Sequence, residues 1–340
     1  MLAVRCEMCE TFWQCLLPVS VWGISGSHIE TRHRPPRAEL FRASRKTLAM
    51  SGELAVIDSA AISAEEESKV AQLLKLLQSK PDWAKDIEQP LLDGYEDGLQ
   101  RPALLRWLRA RKWDVQLAAQ CICEHAVWRK TLCGPSHRFT GTEFPVHTAA
   151  KKVLLAGPDR SGRPALVGLV RQHFSDTNDP DGFKRFLTYV LDTAVAVGKA
   201  KAGPDWDGKL VGILCLHGVG WSNCDVSALK DVFELLQNHY VERLHKLYFY
   251  NAPTLFVTTW KLLAPFVDPV TRAKVECVAP SQAQDCFSRS FNMDQLPGFV
   301  EGGTGPTMLI TDLDLCRSDS LGDVELLTAK AQQLQGLQAG

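Results

Sequence analysis

From residue 153 onward, short apolar runs alternate with longer segments of helical period. The runs are 153–156, 165–170, 210–216 and 247–250, each with a glycine or proline within three residues of one end. Between them lie 182–201, 226–240 and 253–266, whose apolar residues recur every three or four positions. Such a chain has few solutions. Short strands this apolar must be covered on both faces, and intervening helices favour a mainly parallel sheet with helices packed against it. Residues 145–305 are expected to form this α/β lobe, with no internal repeat.

The chain before it reads differently. Ser63-Ala-Glu-Glu66 has the spacing of a capping box, and Val70, Leu73, Leu74 and Leu77 follow on one helical face. Pro81 ends that helix. Pro102 opens a second, and Asp114 caps a third that runs to about Leu132. Residues 63–133 are therefore expected to form a small all-helical unit. Residues 1–62 are expected to be a disordered extension or a targeting segment. Within them, 12–24 is apolar like a signal-peptide core, but Glu7 and Glu10 put the wrong charge in front of it. Residues 32–46 are arginine-rich like an organelle transit peptide, though Glu39 interrupts them, and Met50 is an alternative start. The 306–340 tail is expected to carry at most a short helix over 323–337.

Composition narrows the function. Charged residues make up 23% of the 340 and nearly cancel, for a formal net charge of -1, so a dominant nucleic-acid role is not expected. No run of eighteen apolar residues offers a membrane span. The 11 cysteines are odd in number and scattered, which fits free thiols in a reducing compartment. Cys6-x-x-Cys9 has no second pair to complete a zinc site, so no metal is expected. Catalytic motifs fail in turn. Gly218-x-Gly220 lacks the third glycine of a dinucleotide fingerprint, because Asn223 stands there. Gly220-Trp221-Ser222-Asn223-Cys224 lacks the last glycine of a nucleophile elbow, and no phosphate-binding loop occurs. The chain is not expected to be an enzyme.

Two segments carry more. Asp268 is placed to cap a helix with Pro269 at its first position. Thr271 and Lys274 then share a face, either as a phosphate seat or as an ordinary solvated helix end. Just before it, 254–267 holds Leu255, Phe256, Trp260, Leu262, Leu263 and Phe266 against one charge, Lys261. That segment is either core or a lid over an apolar site, with Pro265 bending its end.

The stretch Leu104–Asp114 with Trp128-Arg129-Lys130 resembles the helical amino-terminal unit of CRAL-TRIO lipid-binding proteins. Asp159-Arg160-Ser161-Gly162-Arg163-Pro164, Tyr240–Leu244, Tyr248–Pro253, Pro265–Thr271 and Leu296–Gly303 resemble the lipid-binding domain itself, in the right order and spacing. The likeness covers roughly 65–305 and points to the yeast-type phosphatidylinositol/phosphatidylcholine transfer proteins. It implies a CRAL-TRIO fold: a mainly parallel sheet floor, helices, and a gate helix over an apolar pocket. It turns 254–267 from core into gate, with Leu255, Phe256, Trp260, Leu263 and Phe266 on the gate. It maps a phosphoinositide headgroup site onto Glu242, Thr271 and Lys274, joined by Arg111 and Lys112. It also places Leu155, Leu166, Leu210 and Gly212 where the family's phosphatidylcholine site has two tyrosines and a Ser/Thr pair. Losing those polar groups argues against a buried choline phosphate.

The resemblance thus implies a monomeric, non-enzymatic protein with bound lipid as its only ligand. It would transfer phosphatidylinositol, exchange it for a more apolar lipid, and touch membranes transiently from the cytoplasm, or from an organelle such as a plastid if 1–49 is a transit peptide. Two other readings stand beside it: a carrier or sensor of a tocopherol, retinoid or sterol precursor on the same fold, and a Rossmann-type oxidoreductase.

Overall fold

The computed structural model describes residues 62–312, apart from 95–96, 135–137, 177–178, 180, 203–205, 221–222 and 224. The expectations for 1–61, including Cys6-x-x-Cys9 and the targeting segment, and for the helix over 323–337, fall outside the described residues.

The capping box forms as its spacing requires. Glu66 donates its N–H to Ser63 Oγ at 3.1 Å, and its carboxylate accepts from Ser63 N at 2.9 Å. Helix α1 then spans Ala64–Gln78 and buries Val70, Leu73 and Leu77. A five-residue π-helical stretch, Ala84–Glu88, runs into α2, Gln89–Asp93. Nothing in the apolar spacing pointed to that irregular link. Pro102 lies in the first turn of α3, Arg101–Ala110, and Asp114 caps α4, Val115–Cys133, by accepting from Leu117 N at 2.9 Å. Leu73, Leu77, Leu104, Trp107, Leu108 and Ile122 make one core. Val241, from far along the chain, inserts into it.

After α5, Pro145–Ala149, come β1 (Val153–Ala156) and β2 (Ala165–Leu169), α6 (Gly182–Ala202), β3 (Leu210–Cys215) and α7 (Val226–Asn238). Then follow β4 (Leu244–Tyr250), α8 (Thr254–Leu263), α9 (Pro269–Ala273), β5 (Val275–Val278), α10 (Pro280–Phe287) and β6 (Met308–Leu309). The sheet runs β5-β4-β3-β2-β1-β6, with β2 to β5 parallel and β1 antiparallel to both β2 and β6. The expected mainly parallel sheet is thus a mixed one of six strands. β1 spans the expected 153–156, and β2 and β3 each end one residue before the expected run does. β4 begins three residues before the expected 247. β5 and β6 were missed because each is short, and β5 starts directly after a helix.

The β1–β2 connection explains the Asp159–Pro164 motif. Asp159 Oδ1 accepts from Ser161 N and Arg163 N, both at 2.9 Å, and Gly162 takes φ 79°. A carboxylate at the start and a glycine at the left-handed position make the turn. Gly218, at φ 74°, likewise belongs to a tight turn after β3, where Val219 N donates to Leu216 O at 3.2 Å.

The sheet has two different faces. Val167, Val211, Ile213 and Tyr248 pack on α10 and the segment after it. Leu166, Leu210, Leu214, Leu247 and Phe249 face α6, α7 and α8.

One buried cluster ties the helical unit to this lobe. Arg129 on α4, fully buried, makes a forked pair with Asp192 on α6 at 2.7 and 3.1 Å. Tyr240 donates to the same carboxylate at 2.6 Å and to Thr188 O at 3.1 Å. Asp192 holds the Arg129 cation firmly against burial, and burial beside Asp192 pushes the Tyr240 phenol well above its usual range. Removing one partner of such a pair leaves an uncompensated buried charge, at a cost of about 3–5 kcal/mol. Arg129→Met is therefore expected to lower unfolding stability in urea by about that much. Arg129→Met combined with Asp192→Leu is expected to cost clearly less than the sum of the two single changes, and simple additivity would show that the pair does not act as a unit.

Candidate functional site

At the end of the sheet where β3, β4 and β5 begin, three charged side chains gather. Glu242 lies in the turn before β4 with φ 55°, a conformation that costs a non-glycine residue energy. Lys274 ends α9 and leads into β5. Its Nζ lies 3.7 Å from Glu242 Oε2, and both side chains keep about a fifth to a quarter of their exposure. Lys209, buried just before β3, completes the group. Burial first, then the Lys274 charge, lowers its pKa, and Glu242 opposes the shift. The sequence reading missed Lys209, which stands alone in the chain and gains meaning only from parallel pairing.

Thr271 lies half-buried on α9, three residues before Lys274. Its N–H is already used: Asp268 Oδ2 accepts it at 2.9 Å. The expected phosphate seat on that backbone is therefore filled by the chain's own cap, leaving the Thr271 hydroxyl and Lys274 ammonium as donors. Arg111 turns instead to Cys121 Sγ at 3.1 Å and to the Trp107 ring at 5.7 Å, while Lys112 is exposed at φ 51°. Among the described residues no contact joins these two to the Glu242–Lys274 pair.

Over the other sheet face lies α8, the segment expected to be a gate. Phe256 stands edge-on to Phe249 at 5.0 Å, and Trp260 stacks on Phe233 at 5.4 Å and meets Phe249 edge-on at 5.1 Å. Leu255 and Leu263 are half-buried. At the carboxyl end, the short 3-10 turn Ala264–Phe266 holds Pro265, and Phe266 and Val270 are 55% and 58% exposed. Arg272 on α9 donates to Ala264 O at 3.2 Å, so the helix that carries Thr271 also holds the end of α8.

Between α6, α7, α8 and the sheet lies an open cavity, with about 800 Å³ free of atoms when the gaps between side chains and the open solvent at its mouth are included. Its walls are almost wholly apolar and include Phe183, Phe186, Leu229, Val232 and Phe256. The floor is Gly168 and Leu214. These stand two positions along β2 and β3 from Leu166 and Gly212, so the expected floor was displaced by one same-face step. Leu155, Leu166 and Leu210 pack instead against α6 and its neighbours. The space above Gly212 is taken by the tip of Leu247, 2.7 Å from where a β-carbon would stand.

The cavity has one polar corner, at the end where β2 and β3 finish. Lys152, just before β1, is buried with its Nζ 4.7, 5.1 and 5.5 Å from the rings of Phe174, Phe183 and Phe186. It reaches His173 Nδ1 at 3.3 Å, and His173 Nε2 reaches Asp225 Oδ2 at 3.2 Å. Ser175 Oγ also donates to that oxygen, and Ala228 N donates to Asp225 Oδ1 at 2.9 Å. Burial pulls Lys152 down to about 8 and lowers His173, which Lys152 lowers further. His147, stacked against Phe174 alongside, is lowered to about 4, chiefly by burial. No group of side chains among the described residues could hold a metal ion, and no described helix is long and apolar enough to cross a membrane.

Comparison with known families agrees with this architecture. The CRAL/TRIO domain matches residues 148–302 and the CRAL/TRIO N-terminal domain matches 69–124, together more than half of the chain. The chain belongs to the CRAL-TRIO family. It is 31% identical to the SEC14 cytosolic factor of Yarrowia lipolytica over 63% of this chain and 43% of that protein. It is 27% identical to the phosphatidylinositol transfer protein PDR17 of Saccharomyces cerevisiae over 63% of this chain and 65% of that protein. Two other curated relatives, CRAL-TRIO domain-containing proteins of Schizosaccharomyces pombe, are matched over only 40% and 17% of their length. The crystal structure of Sfh5 shares the fold at a TM-score of 0.51 and 16% identity, covering 67% of this chain and 85% of that one.

The CRAL-TRIO chain keeps Lys152 against stability. Its amine loses its proton at about 8 in the folded chain and at an ordinary 10.5 when unfolded. The folded state therefore binds fewer protons across that window, and stability rises with pH through it. Below pH 8 the whole cost of the buried charge is present, offset in part by the ring faces. Lys152→Met is expected to gain about 1–3 kcal/mol at pH 7, a few degrees in thermal midpoint, with the gain fading toward pH 10.5. An unchanged midpoint at pH 7 would mean that the aromatic cage fully compensates burial.

Proposed function

We propose that this protein is a non-enzymatic lipid carrier that binds phosphatidylinositol and exchanges it for a second, more apolar lipid at membranes. The observation that supports the reading most is the Glu242–Lys274 contact, at the position the family resemblance assigns to the headgroup. Lys274 and the Thr271 hydroxyl would donate to the phosphate diester, and Glu242 would accept from inositol hydroxyls. Arg111 and Lys112 would approach only by rearranging. Acyl chains would enter under α8, with about 0.8 kcal/mol gained per buried methylene. Names of relatives such as phosphatidylinositol transfer protein PDR17 lend weight to this ligand class.

Choline phosphate would fare worse. The cavity floor of Gly168 and Leu214 supplies no side-chain hydrogen bond, nor do Leu155, Leu166, Leu210 and Gly212, which pack away from it, and an unpaired buried polar group costs about 1–3 kcal/mol. Release would occur at the membrane, where α8 is the gate. Phe266 and Val270 form an exposed apolar tip that a bilayer interface can cover, beside Lys261 for anionic lipid. Because Arg272 holds Ala264 O, movement of the gate would disturb the helix carrying Thr271, coupling opening to headgroup release.

The test is transfer between vesicles. Lys274→Ala is expected to cut phosphatidylinositol transfer at least tenfold with the thermal midpoint kept, and labelled phosphatidylcholine should move far more slowly with the unaltered chain. Normal transfer by a folded Lys274→Ala protein would remove the headgroup assignment. Separately, Phe266→Asp is expected to weaken vesicle binding and transfer together while changing stability by no more than about 0.5 kcal/mol. Unaltered vesicle binding would show that this tip is not the membrane contact.

A further inference from the structure

The polar corner of the cavity is unused by the headgroup assignment above and lies at the opposite edge of the sheet. Glu242, Lys209 and Lys274 precede the parallel strands. His173 and Asp225 follow β2 and β3, and Lys152 precedes the antiparallel β1, whose Val153 pairs with Gly168 near the end of β2. A six-residue strand separates the two ends by roughly 17–20 Å. Ligands of open parallel sheets gather at the carboxyl ends of strands, which is the Lys152 end.

The cluster has a definite polarity. Asp225 Oδ2 accepts from Ser175, so His173 Nε2 carries the proton it directs at that carboxylate, and His173 Nδ1 is left as the acceptor for Lys152. Asp225 is thereby occupied by three donors and is not the direct partner of the ammonium. Among the described residues no carboxylate lies in ion-pair contact with Lys152. Among the described residues only His173 takes one of its three protons; three ring faces and the cavity adjoin it, with His147 alongside and the Asp225 charge acting on it at longer range. A cation held this way in an apolar chamber is matched by a small anion carried on an apolar body. A phosphate would need more donors than the corner offers. We infer that the cavity takes a long-chain monocarboxylate, with its carboxylate on Lys152 and its tail along the apolar wall toward α8. This ligand is the second, apolar lipid of the carrier reading, and the inference rests on that reading.

Oleate and oleyl alcohol differ only at the head, so the full chain can be titrated with each at pH 7 and followed by native mass spectrometry and equilibrium partition. The unaltered protein is expected to bind oleate at least tenfold more tightly than oleyl alcohol. In Lys152→Met, which should fold at least as stably as the parent, the preference should shrink below threefold while oleyl alcohol affinity is kept. Equal affinity of the unaltered protein for the two probes, which needs no variant, would overturn the inference. So would a preference that survives in Lys152→Met. Phosphatidylinositol transfer measured on the same preparation separates the causes. Transfer without oleate preference removes this inference alone, whereas absence of transfer and of binding to either probe removes the carrier reading with it.

Discussion

The forked pair of Arg129 and Asp192, closed by the Tyr240 hydroxyl, is the joint on which the rest of the described chain depends. It links α4, α6 and the turn after α7 with three hydrogen bonds to one buried carboxylate. Such a joint contributes little net stability relative to a well-packed apolar one, but it tolerates only one arrangement of its three elements. That arrangement has consequences at both ends of the sheet. Tyr240 precedes Val241, which inserts into the helical core, and Glu242, which turns into the left-handed region toward Lys274. Asp192 fixes the register of α6, whose first turns carry Phe183 and Phe186 to the Lys152 corner.

The charged groups follow from where strands begin and end. Backbone pairing occupies the middle of each strand, and apolar side chains cover both faces. Polar side chains therefore survive at the edges, where Lys209 and Glu242 lead into strands and His173 and Asp225 follow them. The two ends differ, and the cavity lies against the one where β2 and β3 finish. One holds a partly exposed ion pair with hydroxyl and ammonium donors. The other holds a single buried ammonium backed by a histidine and a carboxylate. On the proposed reading, their difference in exposure separates a site for a hydrated headgroup from one for a small dry one.

Much of this was legible in the chain. The capping box at Ser63, the cap at Asp114 and the turn at Asp159 are local hydrogen-bond programmes, and their spacing alone sufficed. Strands β1, β2 and β3 were legible because apolar runs of that length have no other use between helices. Glu242 with Lys274 came from resemblance, since no pattern relates residues so far apart. Lys152, His173 and Asp225 were invisible for a physical reason. Each is an unremarkable polar residue at an element boundary, and only the antiparallel β1 brings the first to the other two. The π-helical link at Ala84–Glu88 was equally hidden, because its period leaves no face of regular spacing. Gly168 was passed over for want of a motif, although its missing side chain admits Leu214 Cδ2 at 2.9 Å from the position a β-carbon would take.

That glycine floor has a mechanical consequence. Above Gly168 the surface is set by the tip of Leu214, which is rotatable, and not by rigid backbone. The depth of the chamber can therefore change by rotamer, leaving the hydrogen bonds of the sheet intact. A fold with such compliant void space loses volume when it unfolds, so hydrostatic pressure works against the empty protein. An occupant that fills the chamber removes that volume difference. Loading would thus harden the protein to compression in proportion to the space it takes up, whatever its head group.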